Sequence, residues 1–156
     1  MITKLDQIVR TVQGRERRRL VVAYAQDSHT LEAVNAAVGM GIVDAVLVGD
    51  RGQIERVCMA DGIDPGRFSV IDEKSDVRCV ETAVRMINEG KADVLMKGLV
   101  STDKYMRGIL NKEFGLLPPK AVLSHIAVLE LPVYHKLLLV SDVAVIPCPD
   151  LGQKVK

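Results

Sequence analysis

Apolar and polar positions alternate between two regular patterns along the first two thirds of the chain. Leu20-Val21-Val22-Ala23-Tyr24-Ala25 is a continuous apolar run, as in a strand buried on both faces. Leu31, Val34 and Val38 then recur at helical spacing, with Asp27 or Ser28 placed to cap that helix. Ala45-Val46-Leu47-Val48 predicts a second strand. Asp50 with Gln53 resembles a capping box before a helix carrying Ile54 and Val57, which Gly62 stops. Phe68-Ser69-Val70-Ile71 predicts a third strand. Ser75 caps a third helix with Val77, Val80, Val84 and Ile87 on one face, and Gly90 ends it. Asp93-Val94-Leu95-Met96 is a fourth buried strand, and Ser101 to Lys112 a fourth helix.

The last third reads differently. Val122 to Leu131 and Leu137 to Ile146 predict two strands joined only by Pro132-Val133-Tyr134-His135-Lys136. So short a connection forces an antiparallel pair. Pro147-Cys148-Pro149 stops the second strand. Asp150 and Gln153 then repeat the capping-box spacing, and a helix start with the chain ending at Lys156 suggests a fragment or a chain that continues. The expected fold class is α/β, three layers deep (α/β/α). It has a mostly parallel sheet plus a C-terminal antiparallel strand pair, in one domain over residues 1–156. Ligands on such sheets sit beyond the carboxyl ends of the strands.

Composition narrows the function. The 156 residues are 48% hydrophobic and 26% charged, enough for a real core. A net charge of +1 gives no long-range pull toward nucleic acid or acidic membranes, and 3% aromatic content leaves few stacking platforms. No apolar stretch is long enough to span a bilayer, and Met1-Ile2-Thr3-Lys4-Leu5-Asp6 lacks the features of a signal peptide. Cys58, Cys79 and Cys148 are odd in number and widely spaced. They predict packing residues in a reducing cytoplasm, with no disulfide framework and no zinc site. His29, His125 and His135 show no metal-ligand spacing.

The segment with chemistry is Lys97-Gly98-Leu99-Val100-Ser101-Thr102, between the fourth strand and its helix. Gly98 lets the backbone approach a ligand closely. The helix start at Ser101 and Thr102 offers free N–H groups and the positive end of a dipole, and Lys97 adds a full charge. An oxyanion, above all phosphate, fits such a loop. A capped helix beside a solvent-exposed lysine accounts for the same residues. Arg107 follows Asp103 by four residues, the spacing of an exposed ion pair. Known phosphate motifs are missing: no G-x-x-x-x-G-K-[ST] occurs, and Gly39-Met40-Gly41 ends a helix instead of following a strand. Asp27 and His29 follow the first strand, where a cap and its exposed neighbour explain them equally. Ser124 and His125 lie inside a strand pattern. Asp142 interrupts an apolar run and reads as a carboxylate satisfied by backbone donors. Arg15-Glu16-Arg17-Arg18-Arg19 reads as a solvated rim.

The run Lys97-Gly98-Leu99-Val100-Ser101-Thr102-Asp103-Lys104-Tyr105-Met106-Arg107-Gly108 resembles the phosphate acetyl/butyryltransferase family, closest to its butyryl-transferring members. Three other stretches support the likeness: Ala25-Gln26-Asp27-Ser28-His29-Thr30-Leu31, Leu123-Ser124-His125, and Ser141-Asp142-Val143-Ala144-Val145-Ile146-Pro147. The resemblance runs the length of the chain in order. It implies transfer of an acyl group from acyl-CoA to phosphate, giving acyl phosphate and CoA. It further implies a two-domain fold shared with the isocitrate and isopropylmalate dehydrogenases, a cleft active site and a homodimer. No cofactor is implied, CoA being substrate or product. Lys97, Gly98, Ser101, Thr102 and Arg107 match phosphate-binding positions, with Asp27, Ser124 and His125 as candidates for lining the same cleft. The family's catalytic aspartate lies in a later half that the resemblance does not reach here. This chain then corresponds to the amino-terminal part, can lack full activity, and carries no assignable base. A non-catalytic domain binding phosphate or acyl phosphate is the alternative from another class, and a related decarboxylating dehydrogenase is a third.

Overall fold

The computed structural model describes residues 1–146 and 148–155. Pro147, read as part of a strand stop, lies outside the described residues. The chain, read above as one domain, packs as two compact units: Glu16–Leu116, and Met1–Arg15 together with Leu117–Lys156.

The larger unit is built on β1 (Arg18–Ala23), β2 (Val43–Gly49), β3 (Ser69–Asp72) and β4 (Val94–Lys97). All three pairings are parallel, in the order β3-β2-β1-β4. The helices are α2 (Ser28–Gly39), α3 (Arg51–Ala60), α4 (Asp76–Asn88) and α5 (Thr102–Ile109), with a 3₁₀ turn at Pro65–Arg67. Each helix starts where a short polar side chain accepts a backbone N–H three residues on. Asp27 takes that of Thr30, Asp50 that of Gln53, Ser75 that of Arg78 and Ser101 that of Lys104. Gly62 and Gly90 follow α3 and α4 at positive φ, as the sequence predicts.

Consecutive residues of β1 feed two different cores. Leu20 and Val22 pack with Leu31 and Val34 of α2 and with Ile54 and Cys58 of α3. Val21 and Ala23 pack with Cys79, Val80, Ala83 and Val84 of α4 and with Val100. Period-two alternation against helices on both faces makes three layers. Two details differ from expectation. Val77 is 52% exposed and lies off the buried stripe of α4. β4 is an edge strand, not a buried one, because only β1 pairs with it, and Val94 is 42% exposed.

The smaller unit holds α1 (Leu5–Gln13), β5 (Ala127–Leu129), β6 (Leu138–Val140) and α6 (Leu151–Val155). β5 and β6 pair antiparallel, in the register Ala127 to Val140 and Leu129 to Leu138. Both are far shorter than the apolar runs suggest. The physical reason is Asp142. Its carboxylate accepts the backbone N–H groups of His125 (2.9 Å), Ala144 (2.8 Å) and Val145 (2.8 Å), and so replaces a strand ladder with local side-chain bonds. The Asp150–Gln153 capping box forms in both directions, at 2.9 and 2.8 Å. α1 adds to the expected elements, and Leu5, Ile8, Val9 and Val12 carry its helical spacing.

Candidate functional site

The strand order itself marks a place for a ligand. From β1 the chain moves to β2 and then β3 on one side, and it returns to place β4 on the other side of β1. Segments leaving β1 and β4 therefore part to opposite faces of the sheet, α2 with one core and α5 against the other. Open α/β sheets bind ligands in the crevice at such a switch point, beyond the carboxyl ends of the strands. Two segments border it: Tyr24 to Asp27, and Lys97 to Thr102.

The second of these is pinned to the first. The N–H of Gly98 donates to the Ala23 carbonyl at 2.9 Å, and that of Leu99 to the Tyr24 carbonyl at 3.0 Å. A Cβ on Gly98 would collide with the Tyr24 carbonyl oxygen and stand 2.9 Å from that of Ala23. Glycine is thus required for close approach to β1, not to a ligand. Tyr24 has φ of 61°, the left-handed region that a bulky residue rarely occupies. Val100 is 2% exposed and roots the segment in the core.

Charge is arranged less openly than the sequence suggests. Lys97 turns its ammonium back onto its own loop, donating to the carbonyls of Val100 (2.8 Å) and Gly98 (3.3 Å). Lys104, in the first turn of α5, pairs with Asp76 at 2.5 Å, and this hydrogen bond holds the Asp76 carboxyl below its usual range. Ser101 accepts the Lys104 N–H at 3.4 Å. The N–H groups of Thr102 and Asp103 fall outside the helical ladder, and the Thr102 hydroxyl has no partner among the described residues. The groups left to meet an anion are these donors, the Ser101 hydroxyl proton, the third ammonium N–H of Lys97 and the helix dipole.

The other sequence candidates are placed as follows. Asp27 borders the crevice, but its carboxylate is occupied as the α2 cap, accepting from Thr30 N at 3.0 Å and Thr30 Oγ1 at 2.6 Å. His29 is exposed on the first turn of α2. Arg107 sits five residues past Thr102, about 7.5 Å further along the helix. It pairs with Asp103 at 3.0 Å with both side chains exposed, and it lines a hollow of about 280 Å³ with Val77, Val80 and Phe114. No hydrogen bond or ion pair joins it to Lys97 or Ser101 among the described residues. Ser124 and His125 belong to the smaller unit. Ser124 lines a hollow of about 400 Å³ with Ser141 and Asp142, and the buried Nδ1 of His125 has no partner among the described residues. Burial would raise the Asp142 carboxyl, yet backbone N–H groups of Ala144, Val145, His125 and Ile146 hold it down at about 2.

The cysteines divide. Cys58 and Cys79 are buried, as expected, whereas Cys148 is exposed and corrects the packing role assigned to it. Burial, with the Glu73 charge next, pushes the Cys79 thiol up to about 11, so it stays protonated and unreactive at neutral pH. Among the described residues no group of His, Cys, Asp or Glu gathers as a metal would require. Among the described residues no helix is long and apolar enough to cross a membrane. Of the basic cluster, Arg19 pairs with Asp93 (2.7 Å) and Arg17 with Asp44 (3.0 Å), on an exposed rim at the amino end of the strands.

Comparison with known proteins adds a second line of argument. A family described as phosphate acetyl/butaryl transferase matches residues 3–84 and 78–156. The chain is 39% identical over 155 residues to a phosphate butyryltransferase of Clostridium acetobutylicum, covering 99% of this chain and 51% of that one. Against a phosphate butyryltransferase of Clostridium beijerinckii the identity is 34%, with the same coverage. A branched-chain phosphotransacylase from Enterococcus faecalis has a similar structure, with TM-score 0.70 and 20% identity over 87% of this chain and 46% of that one. The EutD phosphotransacetylase from Staphylococcus aureus gives TM-score 0.69 and 11% identity over 95% and 53%. The two structures show a shared fold. The chain spans about half the length of the curated relatives it matches.

Proposed function

The chain belongs to the phosphate acetyl/butaryl transferase family, and we propose on that premise that it serves a phosphate acyltransferase of the butyryl-transferring kind. The reaction is acyl-CoA plus phosphate giving acyl phosphate plus CoA. The observation that carries the reading is the switch-point segment, where a loop fixed to β1 delivers the start of α5 into the crevice. Lys97, Gly98, Ser101 and Thr102 form the phosphate-binding loop, in which Lys97 stiffens the backbone from behind while the hydroxyls and N–H groups meet the anion. Arg107 steers the phosphate end of a substrate from the neighbouring groove. Asp27 is assigned to the lining of the same crevice, while Ser124 and His125 remain candidates within the smaller unit.

In the transfer, a phosphate oxygen attacks the thioester carbonyl carbon and forms a tetrahedral oxyanion. Collapse of that intermediate breaks the carbon–sulfur bond, and the CoA sulfur leaves with the electron pair and takes a proton. A well-placed donor to such an oxyanion contributes about 2.7–4 kcal/mol to catalysis. Holding both substrates together removes a further entropic barrier. Asp27 and Asp142 are engaged by N–H donors and Cys79 stays protonated, so none of these three serves as the base.

We assign these residues to the first domain of a two-domain enzyme. The smaller unit contains no buried residue among the described ones, and the relatives are about twice as long. On this reading the partners are acyl-CoA and inorganic phosphate, with neither nucleic acid nor membrane involved, in a cytoplasmic homodimer.

The test is CoA release from butyryl-CoA with phosphate. It compares the 156-residue chain with the same chain extended by the second half of a butyryltransferase relative. Turnover by either form supports the reading, and turnover by the extended form alone assigns the chain to the first domain. Phosphate binding with no turnover in either form would instead make it a non-catalytic phosphate or acyl-phosphate binding domain.

A further inference from the structure

We infer that Leu99 is a specificity-determining residue, the side chain with which the switch-point loop contacts the aliphatic chain of an acyl phosphate or acyl thioester. The inference rests on the phosphate-loop reading above and adds what the loop selects besides the anion.

An exposed leucine is ordinarily uninformative, because much of any protein surface is apolar. Leu99 differs in how it is held. It is 59% exposed, yet its neighbour Val100 is 2% exposed and Gly98 is buried with its backbone against the carbonyls of Ala23 and Tyr24. Its own N–H is fixed to the Tyr24 carbonyl at 3.0 Å, and Lys97 Nζ clamps the Val100 carbonyl at 2.8 Å. The loop cannot turn Leu99 inward without breaking these bonds and exposing Val100.

The acceptor that fixes Leu99 is itself unusual. Tyr24 sits at φ of 61°, a conformation that costs energy for a residue with a large side chain and persists where surrounding structure imposes it. The pinned loop thus keeps one large apolar side chain in solvent at the switch point, its N–H fixed to a residue whose own backbone is strained.

The position suits the chemistry of one ligand class. Leu99 precedes the Thr102 N–H by three residues, a span of at most about 10 Å along the chain. A ligand bridging the two carries an anionic head and an apolar tail of a few carbons, the description of a short-chain acyl phosphate. Bare phosphate reaches only the donors, and an acetyl group offers one methyl to the leucine where a butyryl group offers a chain.

The experiment titrates the 156-residue chain, and its Leu99→Ala and Leu99→Met variants, with inorganic phosphate, acetyl phosphate and butyryl phosphate. Binding is read by calorimetry and by amide shifts of Leu99 to Asp103. The chain should favour butyryl over acetyl phosphate by roughly five- to tenfold, less than the roughly 10–200-fold that a methylene commands in a closed pocket, because Leu99 is half open to water. Leu99→Ala should abolish that preference with phosphate affinity within about twofold, and Leu99→Met should retain it. An unchanged preference in Leu99→Ala, or an equal loss for all three ligands, overturns the inference while leaving the phosphate loop standing. Failure of the unsubstituted chain to bind phosphate or either acyl phosphate overturns the loop reading, and the inference with it.

Discussion

The two compact units of this chain differ in how their apolar residues are used. Every buried residue among those described lies in the unit Glu16–Leu116. There β1 is sandwiched, with Val21, Val22 and Ala23 all at 0% exposure. The other unit is no less apolar in sequence, yet Leu5, Val9, Ile126, Val128, Leu129 and Leu139 all remain exposed. Burial requires a second layer as well as apolar side chains. Four strands with helices on both faces supply it. A ribbon of two three-residue strands with α1 and α6 does not, since isolated two-stranded hairpins are marginal in water. The difference also separates the candidate residues, because the proposed phosphate loop sits on the finished core while Ser124 and His125 sit in the unit without one.

The sharpest way to break this comparison is to attack both units equally. Leu47→Ala, at a fully buried position of β2, should cost about 2–5 kcal/mol in denaturant unfolding. Leu139→Ala, at 72% exposure, should change stability by no more than about 0.5 kcal/mol. Similar costs at the two sites would mean that the units share one core. Next in size is Gly98→Ala, whose methyl group must push the loop off β1. A loss of about 1–3 kcal/mol is expected, with increased hydrogen exchange at Leu99 and Gly98.

Arg107→Ala sharpens the functional side. Its pairing with Asp103 is exposed and worth no more than about 0.5 kcal/mol to stability. In the extended, active form the phosphate KM should nevertheless rise at least tenfold, roughly 1.4 kcal/mol. An unchanged KM would remove Arg107 from the site and leave it a surface ion pair.

The smallest effect concerns acid. The Asp142 carboxyl titrates at about 2 when folded, against roughly 3.9 in an unfolded chain. A depressed folded value stabilises the turn above the unfolded pKa and loses that contribution as pH falls from about 4 toward 2. Amide shifts of Ala144 and Val145 should hold steady down to about pH 4 and move below it. Asp142→Asn should shift them at neutral pH. Amides that move already between pH 6 and 5 would show the carboxylate is not held this way.

Much of the larger unit is legible in the amino-acid order. Its four strands and four helices follow from apolar spacing, and the α2, α3, α4 and α5 caps follow from Asp27, Asp50, Ser75 and Ser101. The loop from Lys97 to Thr102 is legible as a helix start capped by Ser101, whereas Gly98 has a different reason from the one expected, its close neighbour being the β1 backbone. The hairpin strands read as too long because periodicity cannot show that Asp142 will take the N–H groups a longer ladder would need. α1 is absent from the expected elements although its spacing is present.

The amino-acid sequence by itself determined the elements of the larger unit, their caps and the place where β4 hands a short loop to a helix. These depend on hydrogen bonds and side-chain faces between residues at most a few positions apart, which spacing encodes directly. Tertiary structure alone decided that β4 is an edge. It also decided that Arg107 lies in a separate groove and that Leu99 is held in solvent. Each of those outcomes is set by partners distant in the chain or by the packing of whole layers. Gly98 reaches back to Ala23, and Leu99 to Tyr24, 75 positions earlier in each case. No local pattern carries that information.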